Sequence, residues 1–276
     1  MLSEPQVPFP VSTNHEIRPD LVRLEGPLLT PDKLYPQYLE AKRAVIDEPW
    51  SSLWVRETRQ DPTSDPRVLM ETLDFLWQKA AEAYHLEPPV RGTNQHLADQ
   101  VMHRGRQLAM NIQEDFVLMH GTRAEAMWVC LPSRWDPAEK IGRDFAQIHQ
   151  PVPHSEALQK AQHNVAKAMY QKGPFARYVW GLTYDPQLCQ HPAQPRIEEG
   201  STVYFRAERQ VTLPMPELQR SWFLIRIFNV PLWDVLHTPE RKQLLLESLR
   251  SMSPEHIAYK HMQHIVPRVL AELEGR

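Results

Sequence analysis

The chain has 276 residues, 42% of them hydrophobic, enough to bury a substantial core in one enlarged domain or two small ones. Its 31 Lys plus Arg nearly balance 34 Asp plus Glu, so no basic footprint invites nucleic acid. Two cysteines without a CxxC pair exclude an iron–sulfur cluster or a Cys-rich zinc site, and 9 glycines without GxGxxG or GxxxxGK offer no nucleotide-binding signature.

The N-terminus carries neither a basic nor an apolar leader segment, and no apolar run reaches membrane-spanning length, which gives the expectation of a cytoplasmic protein. Residues 1–30 are Pro-rich and weakly periodic and read as an extended surface arm. Residues 31–112 read as a helical region. A first helix is expected from Pro31 to Asp47 with Thr30 as its cap, and a second from Pro66, where Leu69, Leu73, Leu76 and Ala80 recur at helical spacing behind Asp65. A third is expected over about Asn94–Ile112.

Texture changes at Asp115, where FVLMHGTRAEAMWVCLPS reads as a hairpin. Asp136-Pro137-Ala138-Glu139 then predicts a helix start, with one continuous helix running to His149 before Pro151 stops it. A further helix over about Ser155–Gln171 precedes three β-rich segments, from Arg177, Thr202 and Ser221. Residues 237–276 predict two terminal helices, near Pro239–Ser251 and Pro254–Glu274, with Pro267 kinking the second. Two strands, helices, then three strands over residues 113–236 is the chain order of a PAS domain. The expected fold is therefore α+β, a PAS-like five-stranded antiparallel sheet with helices on one face, flanked by N- and C-terminal helices.

On the helix begun at Pro137, spacings of three and four bring Gly142, Phe145 and His149 together. A neutral imidazole beside a flat apolar floor suits a haem iron, and the same position suits a histidine capping the helix C-terminus. Four long blocks bear on this: QEDFVLMHG from Gln113, CLPSRWDPAEKIG from Cys130, FAQIHQPVP from Phe145 and FRAERQVTLP from Phe205. They resemble the signature blocks of the haem-dependent oxidative N-demethylase alpha-subunit family, along roughly residues 30–273.

The resemblance implies haem b with His149 as the axial iron ligand, His154 being the runner-up. Arg134, Lys140 and Arg143 are candidates for the haem propionates, or else a solvated helix face, and Trp180 with Tyr178 could wall the group. Arg209 ends the apolar row of Val203, Phe205 and Ala207, and Arg226 sits between Leu224 and Phe228. Each must meet a carboxylate, a propionate or oxygen, and the resemblance favours the pocket, with either arginine polarising oxygen and Glu208 binding an alkylammonium. His261 and His264 resemble half of a metal site and, without further ligands, read as surface histidines.

The implied reaction converts a secondary methylamine such as dimethylamine, with O2, to a primary amine and formaldehyde. With no flavin or nicotinamide signature in the chain, the electrons come from partner subunits, implied to be a reductase carrying NADPH-fed FMN and a 2Fe–2S centre. A hetero-oligomer follows. The alternatives from other classes are a haem-based gas or redox sensor and a non-catalytic binding protein of the same fold.

Overall fold

A computed structural model of the protein describes residues 2–16, 21–54, 64–90 and 96–275. Its frame is an antiparallel sheet built largely of strands that alternate between two covered faces. In chain order the strands are β1 (Val22–Arg23), β2 (Ser52–Trp54), β3 (Asp115–His120), β4 (Arg123–Trp128), β5 (Phe175–Thr183), β6 (Tyr204–Met215) and β7 (Arg220–Pro231). They lie in the order β1-β5-β6-β7-β3-β4-β2. The expected five strands are the middle five of seven. The two additions come from segments read as arm and helix: Val22 pairs with Ala176 at one edge, and Leu53 with Met127 at the other.

The helices are α1 (Tyr35–Arg43), α2 (Pro66–Tyr84), α3 (Leu97–Ala109), α4 (Phe145–His149), α5 (Glu156–Gln171), α6 (Leu232–Val235), α7 (Pro239–Ser251), α8 (Pro254–Tyr259) and α9 (Val266–Leu273). α2 follows its local signals, since the Asp65 carboxylate accepts from the Arg67 N–H and Pro66 occupies the first turn. Three predicted helices are corrected. The first begins at Tyr35 instead of Pro31, because the Thr30 N–H is held by Glu114 Oε1 and the Asp32 N–H by Gln113 Oε1. The start expected at Asn94 lies outside the described residues, and α3 opens at Leu97. The C-terminal helix is two, with Pro267 in the first turn of α9 instead of at a kink.

The fourth correction bears on the site. Pro137 to His149 is a short 3-10 turn at Pro137–Glu139, a loop, and then α4. Gly142 breaks the helix with φ +76°, a conformation that costs a glycine little. Its N–H then joins the Ala124 carbonyl on the free edge of β4.

Register assigns the two faces of the sheet. Arg209 stands opposite Arg226 and Tyr178, so odd residues of β6 share a face with even residues of β5 and β7. On that face α2 and α3 cover β3, β4 and β7: the Trp222 indole donates to the Thr72 carbonyl, and the helix comes so close at Gly105 that an added Cβ would lie 2.0 Å from Trp128. Over β5 and β6 the same face is covered by the N-terminal segment, with Phe9 against Phe205, and by the C-terminal helices. α5 packs on the opposite face of β6 and β7. The helices thus lie on both faces, because the flanking ones roof the side that a one-sided sheet would leave bare. Among the described residues no helix is long and apolar enough to cross a membrane.

Candidate functional site

α4 is only five residues long, and the Asp144–Gln147 capping box fixes its start. From there Phe145 and His149 fall one turn apart, with ring centroids 4.2 Å from each other. His149 Nδ1 lies 2.8 Å from the Phe145 carbonyl oxygen. A carbonyl can only accept, so Nδ1 carries the proton and Nε2 keeps its lone pair. Burial pushes the imidazole below its usual pKa, and the Phe145 hydrogen bond works the other way; the cations Arg177 and Lys140 add to the lowering. The result is a neutral, oriented imidazole whose donor nitrogen is Nε2. That backbone-locked tautomer is the arrangement that metal-ligating histidines use.

The influence of Arg177 on His149 ties the site to one sheet face. Arg177 stands opposite Gln210, and Glu208 is two residues further along the same side of β6. Gln210 Nε2 donates to Glu208 Oε2 at 2.7 Å, and Ser133 Oγ donates to Glu208 Oε1 at 2.5 Å. Gln210 Oε1 is buried and has no hydrogen-bond partner among the described residues. Arg206, next along the row, spends its guanidinium on Ser133 and on the carbonyls of Leu131, Gln187 and Leu188. From the β5 edge, Lys260 Nζ donates to the Trp180 carbonyl. Burial brings that ammonium down to about pKa 8, against the stabilising pull of Glu208. Half-buried Ile141, Ile148, Val165 and Phe223 pack against the apolar core.

The structure gathers some predicted residues and separates others. His149, Phe145, Lys140 and Glu208 belong to this side. Arg209, Arg226, Trp180 and Tyr178 are on the opposite face. There Arg226 pairs with Asp32 at 2.8 Å beneath the Tyr38 ring, and Arg209 donates to the carbonyls of Pro27 and Leu28. Trp180 stacks on Phe205, whereas Tyr178 is 42% exposed. Gly142 serves the turn onto β4. The exposed Arg143 lends its carbonyl to Ala124, and Arg134 bonds Thr183 near the far end of β5. His154 sits with His256, ring centroids 5.4 Å apart. His261 and His264 line a separate cavity, and among the described residues no group of three or more His, Cys, Asp or Glu is placed to hold a metal ion.

Sequence reading missed two groups. Arg177, Gln210 and Lys260 needed strand register. The other is the network made by Gln113, Glu114 and Asp115: Gln113 Nε2 donates to Asp32, Glu114 accepts from Tyr84, and Asp115 pairs with Lys42 at 3.0 Å. The charged half of the QEDFVLMHG block therefore fastens arm and helices to the sheet.

The scaffold is α+β and presents a neutral, oriented imidazole at His149 on the side of the polar row of β6. Residues 26–270 match the family described as haem-dependent oxidative N-demethylase, alpha subunit-like, and the chain belongs to that family. No curated protein matches the chain in sequence.

Proposed function

We propose that this chain is the haem-carrying subunit of an oxidative N-demethylase, in which His149 would hold the haem iron and a small secondary amine, dimethylamine-like, would be the substrate. The observation that carries the reading is the His149 imidazole, locked through Nδ1 and offering Nε2. Family membership supplies the haem, and this donor fits it. A PAS-type scaffold is supported by the middle strands, whose order β5-β6-β7-β3-β4 leaves α4 and α5 as the connection between β4 and β5.

Bound at His149, haem b would supply the one-electron and oxygen chemistry that demethylation requires. The chain's own part is to hold, orient and polarise. Lys140 and Arg177, both close enough to act on His149, are suited to propionates, and Gln210 offers a buried amide with an unused acceptor. Glu208 is the one predicted catalytic residue on the face of His149, and its carboxylate is the acceptor for an alkylammonium N–H. Arg209 and Arg226 serve as braces on the other face. Electrons enter from partner subunits, a reductase with NADPH-fed FMN and a 2Fe–2S centre, consistent with an alpha-subunit-like family.

The test is haem reconstitution of the purified protein followed by absorption spectroscopy. A stoichiometric Soret band is expected, lost in His149→Ala while the far-ultraviolet circular dichroism stays the same. An unchanged spectrum in the variant refutes the ligand assignment, and no band in the wild type refutes the haem reading. Amine-dependent formaldehyde release with a surrogate electron donor then separates enzyme from sensor: oxygen binding without turnover of any small methylamine means a sensor.

A further inference from the structure

At the Thr183 end of β5, away from His149, lies a cavity of about 300 Å³. Six residues separate Thr183 from Arg177, a distance of about 20 Å at the rise of a strand. Arg134, Arg196, His261 and His264 line it, with Tyr184 as apolar wall and Glu198 as its carboxylate. Arg196 reaches Glu198 at 3.6 Å, so those two charges offset each other. Arg134 has no ion pair among the described residues. Its Nη2 donates to Thr183 Oγ1 at 2.9 Å, which steadies the guanidinium and leaves its other N–H groups for a ligand.

Two backbone observations single this cavity out from an ordinary solvated rim. Arg134 has φ +64° and His261 φ +53°, left-handed conformations that cost an L-residue about 1–2 kcal/mol. Both residues, from distant parts of the chain, line the same cavity. Like charge also accumulates there: burial lowers the His261 pKa, and Arg196 and Arg134 lower it further, while Glu198 opposes them. Asp185 and Glu198 partly compensate Arg134, and neither closes a pair with it. Arg268, the next cation, is committed to the carbonyls of Gly200 and Ser201 and to Glu272.

We propose that this cavity is a binding site for a small oxyanion, a phosphate or carboxylate group, held by the Arg134 guanidinium with His261 and His264 as further donors. A guanidinium fixed by Thr183 and without a direct ion pair among the described residues, beside two imidazoles, matches the oxygens of such a group, and two arginines against the single lining carboxylate would repel a cation. The site is separate from the haem reading and stands or falls without it.

The test is calorimetric titration of the full-length protein near pH 6.5 with inorganic phosphate and, in a second series, with succinate. Saturable one-to-one binding of at least one anion is expected, weakened about tenfold or more by Arg134→Gln and by His261→Gln, a loss of about 1.4 kcal/mol each. Preference for phosphate assigns a phosphoryl-bearing ligand and preference for succinate a carboxylate. The ring protons of His261 and His264, identified by their loss in single Gln variants, should shift with the same titration curve. No saturable binding of either anion overturns the proposal, as does binding that both substitutions leave unchanged. The Soret band is expected to be indifferent to the substitutions.

Discussion

Replacing Arg226 by Met separates a brace from a catalytic group. Arg226 is fully buried, and the Asp32 side chain it meets is 5% exposed. Removing the cation leaves that carboxylate to Gln113 Nε2 and the Leu34 N–H, both at 2.9 Å. Breaking a buried pair costs about 3–5 kcal/mol, and the two surviving hydrogen bonds argue for the lower end, about 3. The guanidinium also lies 3.7 Å from the Tyr38 ring centroid, a contact that adds about 1 kcal/mol. The sum is about 4 kcal/mol, and at about 2–4 °C per kcal/mol the thermal midpoint should fall by roughly 8–16 °C. Circular dichroism melts and urea titrations read it directly. Combining Arg226→Met with Asp32→Asn should destabilise less than the two changes added together, because the orphaned charge is gone. A loss below about 1 kcal/mol, with altered oxygen handling as the main effect, would refute the brace and return Arg226 to the haem pocket.

Gly105→Ala should destabilise: the usual helix gain of about 1 kcal/mol is outweighed by a Cβ 2.0 Å from Trp128, and a raised melting temperature would contradict this packing. Glu208→Gln should raise the KM for amine about tenfold with an unchanged Soret band, whereas an unmoved KM removes Glu208 from amine binding. His15 has its pKa lowered from 6.5 to about 4, by burial first and then by Lys260 and His256. The folded state therefore binds fewer protons than the unfolded one between those values, and stability should fall as pH drops from about 6.5 towards 4. His15→Gln should flatten that slope in melting curves; an equal slope in the variant assigns it elsewhere.

The long strands were legible because alternation and turn residues act locally: β6 and β7 overlap the segments read as strands and run past them, to Met215 and to Pro231, and α5 and α7 close on their predicted ends. The His149 tautomer was half legible, since the spacing of four to Phe145 is local and the break at Gly142 depends on the β4 edge it joins. Arg226 meets one of the partners expected of a cation on an apolar row, a carboxylate, whereas Arg209 meets backbone carbonyls in place of the expected carboxylate, propionate or oxygen. Their partners are Pro27 and Leu28, in a Pro-rich arm whose pattern says nothing about what it touches, and Asp32, just beyond it in a segment read as helix. Which face His149 shares is a matter of strand register between β5 and β6, and pairing across about 30 residues leaves no periodic trace in either strand.

The hold of Arg226 on Asp32 spans 194 residues, and that of Arg209 on Pro27 spans 182. During synthesis the beginning of the chain thus emerges long before the strands that fasten it. Gln113 and Glu114 can hold Asp32 and Thr30 once the first hairpin forms, but the contacts of Pro27, Leu28 and the Asp32 carboxylate with Arg209 and Arg226 must wait until β6 and β7 arrive. Closing the arm is accordingly a late event on the ribosome, and a nascent chain ending before β7 should expose its N-terminus to proteases that the finished protein resists.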